Sequence, residues 1–127
     1  MRSVSWFAED DFKESIIKDT YNFINSSKIK VNIENDKEIY AIIKTELESD
    51  SRYHSVADIF GGVTKNEISN VKFGHSEEYW QRLGSLERET FAHFFEATIR
   101  NDKFKLDNFK NIFPNAYKEF ERMLKEE

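Results

Sequence analysis

Residues 85–100 have the sequence SLERETFAHFFEATIR, whose spacing of apolar and polar residues predicts an amphipathic helix over Leu86–Arg100. A helix turns about 100° per residue, so Glu89, His93 and Glu96, at spacings of four and three, fall within about 60° of one another. The aromatic residues lie on the opposite side, Phe91, Phe94 and Phe95. We therefore expect the aromatic side to face a core, and the Glu/His/Glu side to be polar surface or part of a buried polar site.

The rest of the chain is also predicted to be mainly helical. The same periodicity predicts five more helices, at residues 9–26, 35–49, 54–60, 102–112 and 114–124. Local signals support several of their ends: Ser85 is a favourable N-cap, and Pro114 suits the first position of a helix. The Gly61-Gly62 pair is expected to end the helix that begins at His54.

Two segments favour strands instead. Ile29, Val31 and Ile33 alternate with polar residues, which is typical of a short, half-buried strand. Residues 63–73 place Lys65-Asn66 between β-favouring residues and predict a hairpin or an irregular pair of strands. Four Gly and one Pro in the whole chain favour helices over a many-stranded fold. The predicted fold class is α+β, mainly helical, as a single domain of residues 1–127.

Composition excludes several classes of protein. The chain has 127 residues and a formal net charge of −5, without a visible cluster of Lys and Arg, so we expect no nucleic-acid partner. It has no cysteine, which excludes disulfides, thiolate metal ligands and a thiol nucleophile. No run of eighteen apolar residues occurs, so no membrane-spanning segment is expected.

The predicted core consists of large apolar residues from the apolar faces of the helices. They are Phe12, Ile16, Phe23, Ile39, Ile42, Ile43, Ile59, Phe60, Phe91, Phe94, Phe95, Phe109, Tyr117 and Phe120. Replacing Phe94 or Phe95 with alanine should each cost about 3–5 kcal/mol if both rings are buried.

Each histidine lies near a carboxylate in the sequence, which makes this set the candidate for chemistry. His54 and Asp58 are four residues apart, as are Glu89 and His93, and His75 lies between the two pairs. Neutral imidazoles and carboxylates that converge from two elements can hold Zn²⁺. The other interpretation is polar surface, or buried histidines held by hydrogen bonds. If the groups converge, the polar sides of the two helices must face each other, and the Gly74-His75 loop closes over them.

Four motifs, in order, resemble the carboxy-terminal region of phage minor head (head-morphogenesis) proteins of Gram-positive bacteria and their prophages. They are His54-Ser-Val-Ala-Asp-Ile-Phe-Gly-Gly-Val-Thr, Phe73-Gly-His-Ser-Glu-Glu-Tyr-Trp80, Glu89-Thr-Phe-Ala-His-Phe-Phe-Glu96 and Phe113-Pro-Asn-Ala-Tyr-Lys-Glu-Phe120. The resemblance covers residues 54–124, and residues 1–53 carry no recognised motif. It implies a structural or protein-interaction domain without catalytic residues, located in the virion or the bacterial host cytoplasm. The implied partners are proteins of the phage head or portal.

The motif beginning at Glu89 also looks like the helix that donates the third zinc ligand in zincin-type metallopeptidases. Glu89 matches that role. The sequence has no HExxH helix, so no residues match the two His ligands and the catalytic Glu of that family. The alternative function is therefore a zincin-like, zinc-binding hydrolase domain or a fragment of one. The chain is then either the carboxy-terminal part of a longer protein or a free-standing domain that kept only the scaffold. A third hypothesis, an inhibitor of a bacterial defence factor, fits the size and acidity but has no motif behind it.

Overall fold

Helices make up most of the computed structural model, which describes residues 5–68 and 77–125. The helices are α1 (Ser5–Val31), α2 (Asp36–Glu48), α3 (His54–Thr64), α4 (Glu77–Trp80), α5 (Ser85–Arg100), α6 (Lys103–Ile112) and α7 (Pro114–Lys125). A single 3₁₀ turn, Ser51–Tyr53, leads into α3. The prediction of a single, mainly helical domain is confirmed, but these two ranges contain no strand.

The strand predicted at residues 29–33 is wrong, because α1 continues through this segment. The helix predicted at residues 9–26 extends past Ser27, whose hydroxyl donates to the carbonyl of Phe23 within the same helix, at 2.8 Å. α1 ends where Asn32 adopts the left-handed conformation, with φ 58°, and the Ile33 N–H donates to the Lys28 carbonyl. Ile29 and Val31 are exposed on the last turn of α1. Their alternation with polar residues therefore does not correspond to a half-buried strand face.

The glycine pair does not end α3, which runs on to Thr64 and closes at Lys65 in the left-handed conformation. A Cβ on Gly62 would lie 2.9 Å from Leu86 Cδ1 and from ring atoms of Trp80. Gly62 is therefore a position of close approach between α3 and the α4–α5 region. A hairpin was predicted for residues 63–73. Residues 63–68 instead form the end of α3 and a turn, and residues 69–73 lie outside the described residues.

Aromatic rings from four helices and from the α6–α7 junction form the centre of the core. The ring of Phe94 on α5 contacts five others, with centroids 4.6–6.2 Å away: Phe12, Phe109, Phe113, Tyr117 and Phe120. Most of the predicted core is buried, and Phe23 and Phe91 pack against it while half-buried. The prediction was wrong for Ile42 and Phe95, which are exposed. α2 buries the stripe of Ile39, Ile43 and Leu47, and this spacing of four leaves Ile42 to one side.

Asp19 joins α1 to the beginning of α7. Its buried carboxylate accepts hydrogen bonds from the backbone N–H of Ala116, at 2.8 Å, and from the side-chain amide of Asn115, at 2.7 Å. The first N–H groups of a helix have no partner within the helix, and a negative charge there is favoured by the helix dipole. A residue of one helix thus caps another, which fixes α7 against α1.

Candidate metal centre

Three of the five predicted ligand residues converge between α3 and α5. Asp58 lies on α3, and Glu89 and His93 lie one turn apart on α5. Each offers a ligand atom, and these three atoms all lie within 4.8 Å of one another. We refer to Asp58, Glu89 and His93 as the carboxylate–histidine cluster.

Asp58 and His93 form the closest contact of the cluster. His93 Nε2 lies 2.7 Å from Asp58 Oδ2, and because an ionised carboxylate only accepts, the imidazole is the donor. The side chain of Asp58 is 3% exposed and that of His93 is 20% exposed. A carboxylate this deeply buried requires a partner, and the imidazole from the facing helix supplies one.

Glu89 is held from two sides by different groups. Its Oε1 atom accepts a hydrogen bond from the Tyr79 hydroxyl, while Oε2 lies 3.9 Å from His93 Nε2. Burial, followed by the hydrogen bond to Glu89 and its negative charge, raises the pKa of Tyr79 to about 12. Tyr79 therefore keeps its proton at neutral pH and remains a donor to Glu89.

Tyr79 is itself fixed by the beginning of α5. Ser85 was predicted as the N-cap, but the N-cap is Gly84, with φ 78° and no side-chain capping bond. The Ser85 hydroxyl instead lies 2.8 Å from the Tyr79 carbonyl and 2.9 Å from the Arg82 carbonyl. Its single hydrogen is shared between these two acceptors. The loop from α4 to α5 is thereby tied down, and Tyr79 is placed over Glu89.

The other two predicted ligands have different outcomes. His54, the first residue of α3, lies beside the cluster, with its ring edge-on to that of His93 and the centroids 6.4 Å apart. It is not among the three residues whose ligand atoms group together. His75 lies outside the described residues, as does the Gly74-His75 loop that was expected to close over the site.

The expected arrangement of two facing polar sides is present. Behind Asp58, the side chains of Val56, Ile59 and Phe60 are buried in the core. Behind the polar side of α5, Phe94 is buried, although its neighbour Phe95 is exposed. The apolar sides of both helices therefore anchor the cluster between them.

The sequence alone did not identify Tyr79 as a partner of Glu89. In the sequence, Tyr79 and Trp80 stand out only as the end of the motif Phe73–Trp80. Their rings contact each other, with centroids 5.1 Å apart. The contact with Glu89 spans ten residues across the α4–α5 loop, where helical periodicity gives no signal. The one available signal was that Tyr79 and Glu89 belong to adjacent motifs in the sequence.

Comparisons with known proteins add neither a family nor a function. No protein-family model matches the chain, and no significant match is found among curated proteins or solved structures. None of the helices in the described ranges combines the length and the apolar character needed to cross a membrane. Function must therefore be inferred from the motifs and from the geometry of the cluster.

Proposed function

We propose that this chain is a structural or protein-interaction domain of the phage minor head kind, of phage or prophage origin and without catalytic activity. The observation that carries this proposal is the spatial grouping of the motifs behind the resemblance. Three of the motifs contribute side chains to one connected group. The first motif contributes Asp58, the second contributes Tyr79, and the third contributes Glu89 and His93.

The bonding within the cluster accounts for these residues without requiring catalysis. Asp58 is bonded to His93, and Glu89 is bonded to Tyr79, so each carboxylate is engaged by a neighbouring side chain. The sequence contains no HExxH helix and no GxSxG motif that would provide the base or nucleophile of a familiar hydrolase. A hydrogen-bonded network that joins two helices is sufficient reason for these residues to be present.

An exposed apolar stripe on α5 supports a protein partner. Phe95 and Ile99 are both exposed and lie one turn apart. Phe91 lies one turn earlier and stacks against Phe95, with centroids 6.0 Å apart and an interplanar angle of 14°. Large apolar side chains that form a continuous exposed patch are typical of interaction surfaces. We propose that this stripe contacts a head or portal protein.

The experiment measures binding of the purified chain to each head and portal protein encoded beside its gene, by calorimetry and by size-exclusion chromatography. We expect a stoichiometric complex with one of them. The Phe95→Ser/Ile99→Ser double variant should lose it, whereas Ile29→Ser should retain it, because Ile29 is an exposed apolar residue on α1 rather than on the stripe. Absence of binding to every such protein would refute the proposal.

A zincin-like hydrolase remains the second candidate, and the three grouped ligand atoms are the observation that favours it. In this alternative Glu89 would be a zinc ligand, but the remaining ligands and the catalytic base would have to differ from the HExxH pattern. The two candidates are distinguished by peptide hydrolysis in the presence of zinc. We expect no turnover; zinc-dependent turnover that is lost in Glu89→Gln would favour the hydrolase.

A further inference from the structure

The carboxylate–histidine cluster has the donor set of a transition-metal site. We propose that Asp58, Glu89 and His93 bind one divalent transition-metal ion of the Zn²⁺ type, which links α3 to α5. This inference goes beyond the proposed function, because it assigns a ligand to the domain whichever protein the domain contacts. It requires no catalytic step.

The chemistry of the three donors selects the class of metal. Imidazole nitrogen favours Zn²⁺ and its neighbours, whereas Mg²⁺ and Ca²⁺ prefer sites made entirely of oxygen. Two carboxylates neutralise a divalent charge, and a neutral imidazole adds none. Binding of the ion at His93 Nε2 releases to solvent the proton that this nitrogen donates to Asp58. The sequence offers no thiolate to compete for the ion, since it lacks cysteine.

The spacing of the donors fits one ion. Ligand atoms about 2.0–2.2 Å from a tetrahedral Zn²⁺ lie roughly 3.3–3.6 Å from one another. His93 Nε2 is 2.7 Å from Asp58 Oδ2 and 3.9 Å from Glu89 Oε2, so the measured distances lie on either side of that value. The first distance has to lengthen by roughly 0.6–0.9 Å and the second to shorten by roughly 0.3–0.6 Å, which small rotations of the side chains provide. The ligand atoms of Asp58 and Glu89 start within 4.8 Å of each other.

The charges of the cluster give an independent reason for a cation. The carboxylates of Asp58 and Glu89 each contribute an atom to a group only 4.8 Å across, and their side chains are 3% and 24% exposed. Like charges at this separation repel strongly where water is partly excluded. A divalent ion placed among the three groups balances both negative charges.

The surroundings of Glu89 match those of an oriented metal ligand. The Tyr79 hydroxyl occupies Oε1 and leaves Oε2 on the side of His93. Ligating carboxylates are commonly held in place by such an outer hydrogen bond, and its loss typically weakens metal binding by about 10–100-fold. The partial exposure of Glu89 and His93 leaves a route for the ion and a fourth coordination position for water.

The test titrates Zn²⁺ into the chelator-treated full chain, by calorimetry and by competition with a chromophoric chelator. We expect one equivalent of zinc to bind. Glu89→Gln should reduce affinity by at least about 100-fold and Tyr79→Phe by about 10-fold, the first as a ligand and the second as its orienting group. Glu96→Gln is the matched control, since Glu96 is an exposed carboxylate on the same helix. The zinc affinity of this variant should equal that of the unaltered chain.

Glutamine at position 89 keeps an oxygen that can accept from Tyr79, so this variant is expected to fold, and circular dichroism verifies this. Failure of the unaltered chain to bind zinc would overturn the inference. Binding that is equally strong in Glu89→Gln and Glu96→Gln would also overturn it, because the ion would then sit elsewhere on the surface. Neither result bears on binding to head or portal proteins, so the two proposals fail independently.

Discussion

Adjacent phenylalanines on α5, Phe94 and Phe95, should differ sharply in what they contribute to stability. Phe94 is 0% exposed and its ring contacts five other aromatic rings, whereas Phe95 is 41% exposed and stacks on Phe91. The perturbation is therefore the pair of variants Phe94→Ala and Phe95→Ala. Both remove the same atoms from the same helix, so helix propensity and composition are matched.

The expected magnitudes follow from burial. Phe94→Ala leaves a closed cavity among rings from several helices, and such a change costs about 3–5 kcal/mol. Phe95→Ala leaves no closed cavity, since water can occupy the space. Full burial of a phenylalanine contributes about 1.5–3 kcal/mol, so a partly exposed ring should contribute only about 1 kcal/mol. The sequence predicts equal costs only if both rings are buried, and Phe95 does not meet this condition because the aromatic side of α5 is only partly covered.

Urea denaturation followed by circular dichroism measures the free energy of unfolding of each variant. The midpoint should fall much further for Phe94→Ala, with the slope unchanged if the transition stays two-state. If Phe94→Ala does not fold, Phe94→Leu gives a smaller loss that can still be compared with Phe95→Leu. Equal losses for the two positions would refute the description of the core.

Three further predictions concern Gly62, Asp19 and Tyr79. In Gly62→Ala the new Cβ lies 2.9 Å from atoms of Leu86 and Trp80. The overpacking cost of about 1–3 kcal/mol should outweigh the helix-propensity gain of about 1 kcal/mol, so urea denaturation should show a less stable variant. A more stable variant would contradict the close approach at Gly62. Asp19→Ala leaves the Ala116 N–H without its acceptor and should reduce the free energy of unfolding by about 2–3 kcal/mol. Asp11 is exposed, so Asp11→Ala should change the same quantity by less than about 0.5 kcal/mol. Similar losses in the two variants would exclude the capping role of Asp19. In an ultraviolet titration, the difference between the unaltered chain and Tyr79→Phe should appear near pH 12, because burial and the contact with Glu89 raise the pKa of Tyr79. The folded stability owed to Tyr79 should be intact below pH 10 and lost as pH rises towards 12; a difference appearing at pH 10 would contradict the burial of Tyr79 and its contact with Glu89.

Local signals in the sequence predicted the helices well where capping and periodicity agree. Pro114 begins α7 as expected, and Asp102, at the start of the helix predicted at residues 102–112, accepts a hydrogen bond from the Lys105 N–H as the N-cap of α6. The errors arose where a local preference is overridden by tertiary packing. The glycines at 61 and 62 lie inside α3, where Gly62 allows a close approach to other elements. Residues 29–33 alternate in sequence although α1 continues to Val31.

The candidate site was predictable only in part, for the same physical reason. The spacing of Glu89 and His93 is a property of one helix, so the sequence contains it directly. The pairing of Asp58 with His93 depends on how α3 packs against α5. Helical spacing predicts which polar sides could face each other, but it does not predict which atoms pair. The contacts made by Tyr79 and by Asp19 depend on loop geometry and on the packing of α1 against α7, which no short-range pattern records.

The most direct test of the metal-binding cluster is a crystal structure of the zinc-loaded chain, with diffraction recorded on both sides of the zinc absorption edge. We predict one anomalous peak per chain, about 2.0–2.2 Å from Asp58 Oδ2, Glu89 Oε2 and His93 Nε2. The same peak should be absent from crystals of Glu89→Gln prepared in the same way. A zinc-loaded chain with no anomalous peak between α3 and α5, or with its peak at surface residues elsewhere, would contradict the assignment of this cluster as a metal site.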